Sequence, residues 1–406
     1  MNTFVTVVLA GFVCGQWREV EKFPLGYVPA AVDVSSDGKA AVWLVDNKPE
    51  FGKVYTPGYF VWGADLSQRQ IKPKQLIVSA KKDDFVRAAV VGFDPVEHRL
   101  TTVGRETRFW SSLLRPLGKP QEAGGLSMTE PVWVVKSQDC ILLCDQKVDW
   151  IVKILRHPDG VIGNCVHPAK VEDMAASADG KWAFTAAGGA IRKWSTKKVP
   201  NVRVAKMEPE ALQWGITLVV EEKNLKFVPL GAVAHLAAAP DGSFALVAPQ
   251  TGRHVWVTCE KRLDPLSDLG GDFADEAEFV NHVIVASPDG RKIAAARTIP
   301  AGKEEIWIWN DRTVLSQSGA RCEIASQVVR LEWLDNEHLV VLDTAGDQKV
   351  YRTAGATLTH VIDLPGSGPV LHWAISGDKA TIVTVRSPGV VQVYRSSAKT
   401  TVVTKQ

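Results

Sequence analysis

The sequence predicts an all-β fold assembled from repeats, on three observations. A unit recurs along most of the 406 residues: an apolar stretch, an Asp-Gly-type turn, a second apolar stretch and a terminal Trp or Tyr. The interval from turn to aromatic is nearly constant, at 15 residues for Asp179 to Trp194 and Asp241 to Trp256, and 16 for Asp94 to Trp110, Asp335 to Tyr351 and Asp378 to Tyr394. No run sustains an apolar period of about 3.6 residues, so helices are expected to be few. Repeats with a period in the forties of residues, each too small to bury its own apolar faces, predict a β-propeller. About eight four-stranded blades are expected, with seven the alternative.

The elements follow in chain order. Phe4–Val13 is apolar and has two readings: the core of a secretory signal, ending near Val13-Cys14-Gly15, or a strand that helps close the ring. Residues 1–15 are set apart on that basis, and residues 16–406 are expected to form one propeller domain. Trp17–Phe23 is assigned to the outer edge of the first blade, with Thr400–Val403 beside it, because joining the two segments in one sheet removes exposed strand edges. The eight innermost strands are expected to begin near Ala31, Val86, Pro131, Val171, Ala232, Val280, Val328 and Val370. Each then needs a tight turn to the second strand, and the Asp-Gly, Asp-Asn and Gly-Asp pairs suit a backbone demanding positive φ. Outer strands are harder to place. Gln75–Ser79, Val202–Val204 and Thr357–Ile362 are candidates, Leu212–Leu230 reads as an extra hairpin, and Leu263–Glu278 as an acidic loop.

Composition narrows the function classes. The net charge is +2, from 47 basic and 45 acidic residues, which gives no electrostatic reason to expect nucleic acid as partner. No apolar stretch reaches the length of a membrane span. The six cysteines show no disulfide framework. Cys140 and Cys144 share a strand face without being able to bridge, and buried free thiols are expected. The thiols favour a reducing compartment and residues 1–15 an exported one, so cytoplasmic and periplasmic or secreted locations both stand. Of 14 Trp residues, Trp110, Trp194, Trp256 and Trp309 close repeats, where a large flat side chain packs between blades.

The turn-opening segments Ser287-Pro-Asp-Gly-Arg-Lys-Ile-Ala-Ala and Ala239-Pro-Asp-Gly-Ser, with the closing strands Ala190-Ile-Arg-Lys-Trp and Glu305-Ile-Trp-Ile-Trp, resemble the WD-repeat family and the related TolB-like propellers. The resemblance spans about residues 20–395 and implies a propeller that serves as a protein-interaction platform. No Trp-Asp dipeptide ends a repeat and no Gly-His pair opens one, so the hydrogen-bonded tetrad of the best-known members is expected to be missing.

Motifs for chemistry are sparse. There is no nucleophile elbow, phosphate-binding loop or His-Glu-x-x-His. His157, Cys165 and His167 are the nearest approach to a metal cluster but lack a fourth ligand, so no metal or cofactor is expected. Asp264, Asp268, Asp272, Asp275, Glu276 and Glu278 read as a solvated loop, and Lys72, Lys74, Lys81 and Lys82 as a charged edge protecting an outer strand. The expected function is a non-catalytic scaffold for an unidentified protein or peptide partner. The candidate binding residues are Phe51, Tyr55, Tyr59 and Phe60, in an insertion rich in Pro and Gly, with Arg105 and Arg108. No catalytic residue is assigned. The rival is a metal-dependent propeller hydrolase or lactonase, for which His235, His282 and His372 near the innermost strands are the residues to watch. A TolB-like envelope component is a third reading.

Overall fold

The turn that opens each blade's second strand shows why the repeat folds as it does. In the computed structural model, Ser177 Oγ donates to Asp179 Oδ1 (2.6 Å), and that carboxylate accepts the Lys181 N–H (3.1 Å). The same serine accepts the Trp182 N–H (3.0 Å), and Gly180, at φ 67°, lets its own N–H reach the Ser177 carbonyl (3.0 Å). Burial alone would raise the Asp179 carboxyl, but the serine hydroxyl, the Lys181 N–H and the Lys181 charge together hold it below its usual range. Ser35 with Asp37, Ser287 with Asp289, and Ser376 with Asp378 repeat this arrangement. In the last of these Lys379 takes the positive φ without a glycine.

The structure describes residues 17–396 apart from connecting segments, of which the longest are 47–58, 77–89, 94–99, 123–131, 198–204, 266–279 and 310–319. The described residues form strands and turns with no helix. Eight sheets of four or five strands follow one another along the chain, and a ninth has two strands. Blade one comprises Ala31–Val34, Ala40–Asp46, Tyr59–Asp65 and Lys74–Gln75. The innermost strands of blades two to eight are Val90–Phe93, Val132–Ser137, Val171–Ala176, Val233–Ala238, Val280–Ala286, Val328–Trp333 and Val370–Ile375. Within each blade the strands pair antiparallel in chain order from the innermost outward, save at the additions described below.

The core lies between blades. One buried cluster joins blades three and four around Trp194, one joins four and five around Phe184, and one joins five and six around Trp307 and Trp309. Trp333 and Tyr351 fill the joint between blades six and seven, and Trp17, Trp373 and Tyr394 that between seven and eight. Blade eight then packs on blade one through Val383, Val385, Val391 and Val393 against Ala41 and Trp43. The turns link neighbours too, the Asp378 N–H donating to the Ser36 carbonyl (2.7 Å) and the Asp179 N–H to the Pro240 carbonyl (3.3 Å).

Four expectations are corrected. Trp17–Pro24 is the outer strand of blade eight, not of blade one, pairing with Val390–Ser396. That pairing brings Trp17–Pro24 into one sheet with Val390–Ser396, and Thr400–Val403 lies outside the described residues. Ala211–Trp214, whose residues from Leu212 on were assigned to the extra hairpin, is the outer strand of blade four, and Val202–Val204 lies outside the described residues. Ala205–Met207 instead adds a parallel fifth strand to blade three. The extra hairpin is real but shorter, pairing Ile216–Glu221 with Asn224–Pro229. Arg262–Pro265, placed in an acidic loop from Leu263 on, begins as the outer strand of blade five. Cys140, Cys144 and Cys165 are buried free thiols, and Cys322 is partly exposed.

Candidate functional site

In blades four to eight a bulge interrupts the first turn of pairing on the innermost strand. The register shifts between Val171 and Asp173, Val233 and His235, Asn281 and Val283, Val328 and Arg330, and Val370 and His372. One extra residue there breaks the in–out alternation and frees backbone groups from the ladder. Side chains of blade four reach backbone donors flanking the blade five bulge: the Val233 N–H donates to Glu172 Oε2 (2.8 Å) and the Leu236 N–H to Asp173 Oδ2 (2.5 Å). The polar residues beside the bulges therefore tie each blade to the next. Arg330 Nη1 donates to the Trp373 carbonyl (3.1 Å), and His372 bonds the backbone at Pro29.

Burial sets the electrostatics of this ring. The Asp173 carboxyl is pushed up to about 7 by burial, against the pull of the Met174 and Leu236 N–H groups. His235 is pushed down to about 4, by burial first and then by His282, and burial also lowers His372. His282 sits in a chain of hydrogen bonds. If Gln327 Nε2 donates to His282 Nδ1 (3.0 Å), the other ring nitrogen carries the proton and donates to Thr298 Oγ1 (2.6 Å). Thr298 in turn donates to Glu304. With its proton committed to a carboxylate, the hydroxyl is held as a bridge between groups, and the chain locks blade six to blade seven.

Large apolar side chains are exposed near these strand ends, with Val329 and Leu371 at bulges. Val329 is 54% exposed, Val28 48% and Trp150 45%, with Val166, Leu371 and Val280 close behind. All six lie on one face. Val28 precedes an innermost strand, and Val280, Val329 and Leu371 begin one. Trp150 precedes the third strand of blade three and Val166 ends its fourth, which is the same end of the sheet. We call this the entry face.

Of the expected binding residues, Tyr59, Phe60 and Arg108 fall within described strands. Tyr59 pairs with Asp46 and Phe60 with Val45, at the end of blade one where its innermost strand begins. Arg108 pairs with Thr102 in blade two. Phe51, Tyr55 and Arg105 lie outside the described residues. The apolar residues at the bulges were missed, although Val328-Val329 and Val370-Leu371 carry a usable signal. Two adjacent apolar residues on an alternating strand place one of them on the wrong side.

Cys165 and His167 both reach the buried joint between blades three and four. Cys165 is buried among the apolar residues between blades three and four, and burial raises its thiol. His167 packs edge-on against Trp194 at 5.3 Å, with its ring pushed down to about 4 by burial and by Arg192. His157 lies outside the described residues. Among the described residues no three His, Cys, Asp or Glu side chains converge as metal ligands. Trp194 Nε1 donates to Thr185 Oγ1 (2.8 Å). Blade four keeps this Trp–Thr bond, but both ring nitrogens of His167 are buried without a hydrogen-bond partner among the described residues, so the bond does not extend into a tetrad.

Neither a protein-family model nor a curated protein matches the chain. Solved structures do. The C-terminal WD40 domain of Sif2 aligns over 95% of this chain and 99% of its own, at 11% identity and a TM-score of 0.60. The fold is that of a WD40 propeller. Sqt1 from Chaetomium thermophilum, solved bound to the N-terminus of a ribosomal protein, aligns over 94% of this chain and 100% of its own, at 14% identity and a TM-score of 0.64. The Dos1 propeller covers 93% of this chain and 95% of its own, at 9% identity and 0.59. In this propeller the entry face carries six of the eight large apolar side chains exposed among the described residues, and no helix among them is long and apolar enough to cross a membrane.

Proposed function

We propose that the protein is a non-catalytic interaction scaffold whose entry face grips a protein or peptide partner. One observation carries the reading. Among the described residues, six of the eight exposed large apolar side chains lie on that face, and the other two, Val20 and Val361, are on outer strands. Exposed apolar groups on a rigid frame supply binding energy at little ordering cost. Beside the blade four bulge, Glu172 and Asp173 brace the frame by accepting backbone N–H groups of blade five. Phe51, Tyr55, Tyr59, Phe60, Arg105 and Arg108 are proposed as the rim of the same surface, since the strands they join end there. The Sqt1 complex is a like-shaped propeller holding a protein segment, which supports the reading.

The test is photo-crosslinking in native cells from two positions, Val329 on the entry face and Lys181 in a turn on the opposite face. A single partner captured from Val329, absent from Lys181 and released in a Val329→Ser/Leu371→Ser variant that melts normally, is the expected result. Equal capture from both faces, or capture that survives the double variant, refutes it.

A further inference from the structure

Resting on that scaffold reading, we infer that the entry face is built for a basic peptide segment of another protein, an Arg or Lys flanked by apolar residues. The apolar half of the surface is an arc across blades six, seven, eight and one, formed by Val280, Val329, Leu371 and Val28. The polar half lies at the joint of blades three and four, where the half-exposed Trp150 follows Asp149. The Val171 N–H donates to the Asp149 carbonyl (2.7 Å) and the His167 N–H to the Trp150 carbonyl (2.8 Å). These bonds fix Asp149 and Trp150 beside the strand that carries Glu172 and Asp173.

Charge decides the occupant. Among the described residues none of Asp149, Glu172 and Asp173 has a cationic partner. Glu172 and Asp173 spend one oxygen each on backbone N–H groups of blade five, and the second oxygen of Glu172 is without a described partner. Arg192, the buried arginine of blade four, is directed to the Ala187 carbonyl (3.3 Å), and the exposed Lys170 makes no ion pair. Partly buried carboxylates without a cation are costly, and a guest guanidinium or ammonium relieves that cost. Asp173 Oδ1 also accepts the Met174 N–H (2.8 Å), so both its oxygens are engaged and Glu172 and Asp149 are left to meet the guest. The Trp150 ring adds a face on which a cation stacks. Nucleic acid, with its phosphate charge, is repelled by the same groups.

The test uses fluorescence anisotropy with three labelled peptides of equal length, each of Leu and Ala around a central pair of Arg, Gln or Glu. The Arg peptide is expected to bind full-length protein, the Gln peptide weakly and the Glu peptide not at all. Glu172→Lys should weaken the Arg peptide about tenfold or more, the loss of one charge-assisted contact. Glu172→Gln keeps an acceptor for the Val233 N–H and is the folding control, expected to melt normally and still lose affinity. Trp150→Ala should weaken the Arg peptide more than the Gln peptide. Equal binding of the Arg and Gln peptides, or indifference to Glu172→Lys, overturns the inference. If no peptide binds while the Val329 crosslink still captures a partner, the scaffold reading survives and the basic-partner reading falls. If both fail, both fall.

Discussion

Replacing Trp17 by Ala tests where the ring is held shut. The strand Trp17–Pro24 contributes a ladder to Val390–Ser396, yet Trp17 is its only buried residue. Its ring joins Val340, Leu342 and Val350 of blade seven to Trp373, Ile382 and Tyr394 of blade eight. A second anchor is polar: Gln392 Nε2 donates to Glu19 Oε2 (2.5 Å), and the Tyr394 hydroxyl donates to Gln392 Oε1 (3.0 Å). Truncating a buried Trp to Ala costs roughly 3–5 kcal/mol, from lost burial and the cavity left behind. At about 1.4 kcal/mol per decade, the lower bound raises the opening equilibrium of this seam about a hundredfold. Hydrogen exchange read by mass spectrometry on peptides covering 17–24 and 390–396 measures that change directly. Exchange should speed up there and little in blades four and five, which share no cluster with Trp17. Unchanged exchange on both strands, or equal acceleration in every blade, refutes the claim that Trp17 is the anchor of the seam.

Three further outcomes are expected. Ser177→Ala orphans the Trp182 N–H and removes the hydroxyl from Asp179, costing about 1–3 kcal/mol by chemical denaturation; no change would show that the turn is held by Gly180 alone. Gly242→Ala should cost clearly more than Gly302→Ala in the same assay. Both sit at positive φ, but a Cβ at Gly242 meets Trp182 Cδ1 at 2.3 Å whereas one at Gly302 meets nothing within 4 Å. The pH dependence of stability has two opposed parts. Asp173, raised from 3.8 to about 7, favours folding as pH falls from about 7 toward 4, because the folded state takes up the proton first. His235, lowered from 6.5 to about 4, contributes stability that is present above pH 6.5 and lost as pH falls through that window. Asp173→Asn should therefore steepen the acid loss measured by melting temperature and His235→Gln should flatten it; the reverse order would refute the assignment.

Much of the fold was legible because its repeat is punctuated by residues with few alternatives. Glycine at positive φ and a carboxylate two residues after a serine mark the turn opening the second strand, and the large aromatics that follow fill the joints between blades. What escaped was decided by pairing, which local sequence does not encode. Trp17–Pro24 reads as an edge strand equally well for blade one or blade eight, and only the Trp17 pocket chooses. Likewise nothing in Ala205–Met207 announces that it runs parallel beside blade three rather than continuing blade four. Of the proposed site, the aromatic insertion of blade one was read from its composition, whereas the bulges that expose Val329 and Leu371 leave only a doubled apolar residue as their trace.

The seam at blade eight has a consequence for the order of events when the chain is made. Blades four to seven draw their paired strands from stretches emerging soon after one another, so each can assemble while synthesis continues. Blade eight cannot. Its outer strand is made near the start and its third strand near residue 396, so Trp17–Pro24 must wait, unpaired, for nearly the whole chain to appear. A product cut short anywhere before Val390 would leave that strand without a partner and the blade one edge at Val34 and Trp43 uncovered. An open strand edge and uncovered apolar core invite aggregation and proteolysis. Closure thus doubles as a length check, since the ring is sealed only when the final third strand is present.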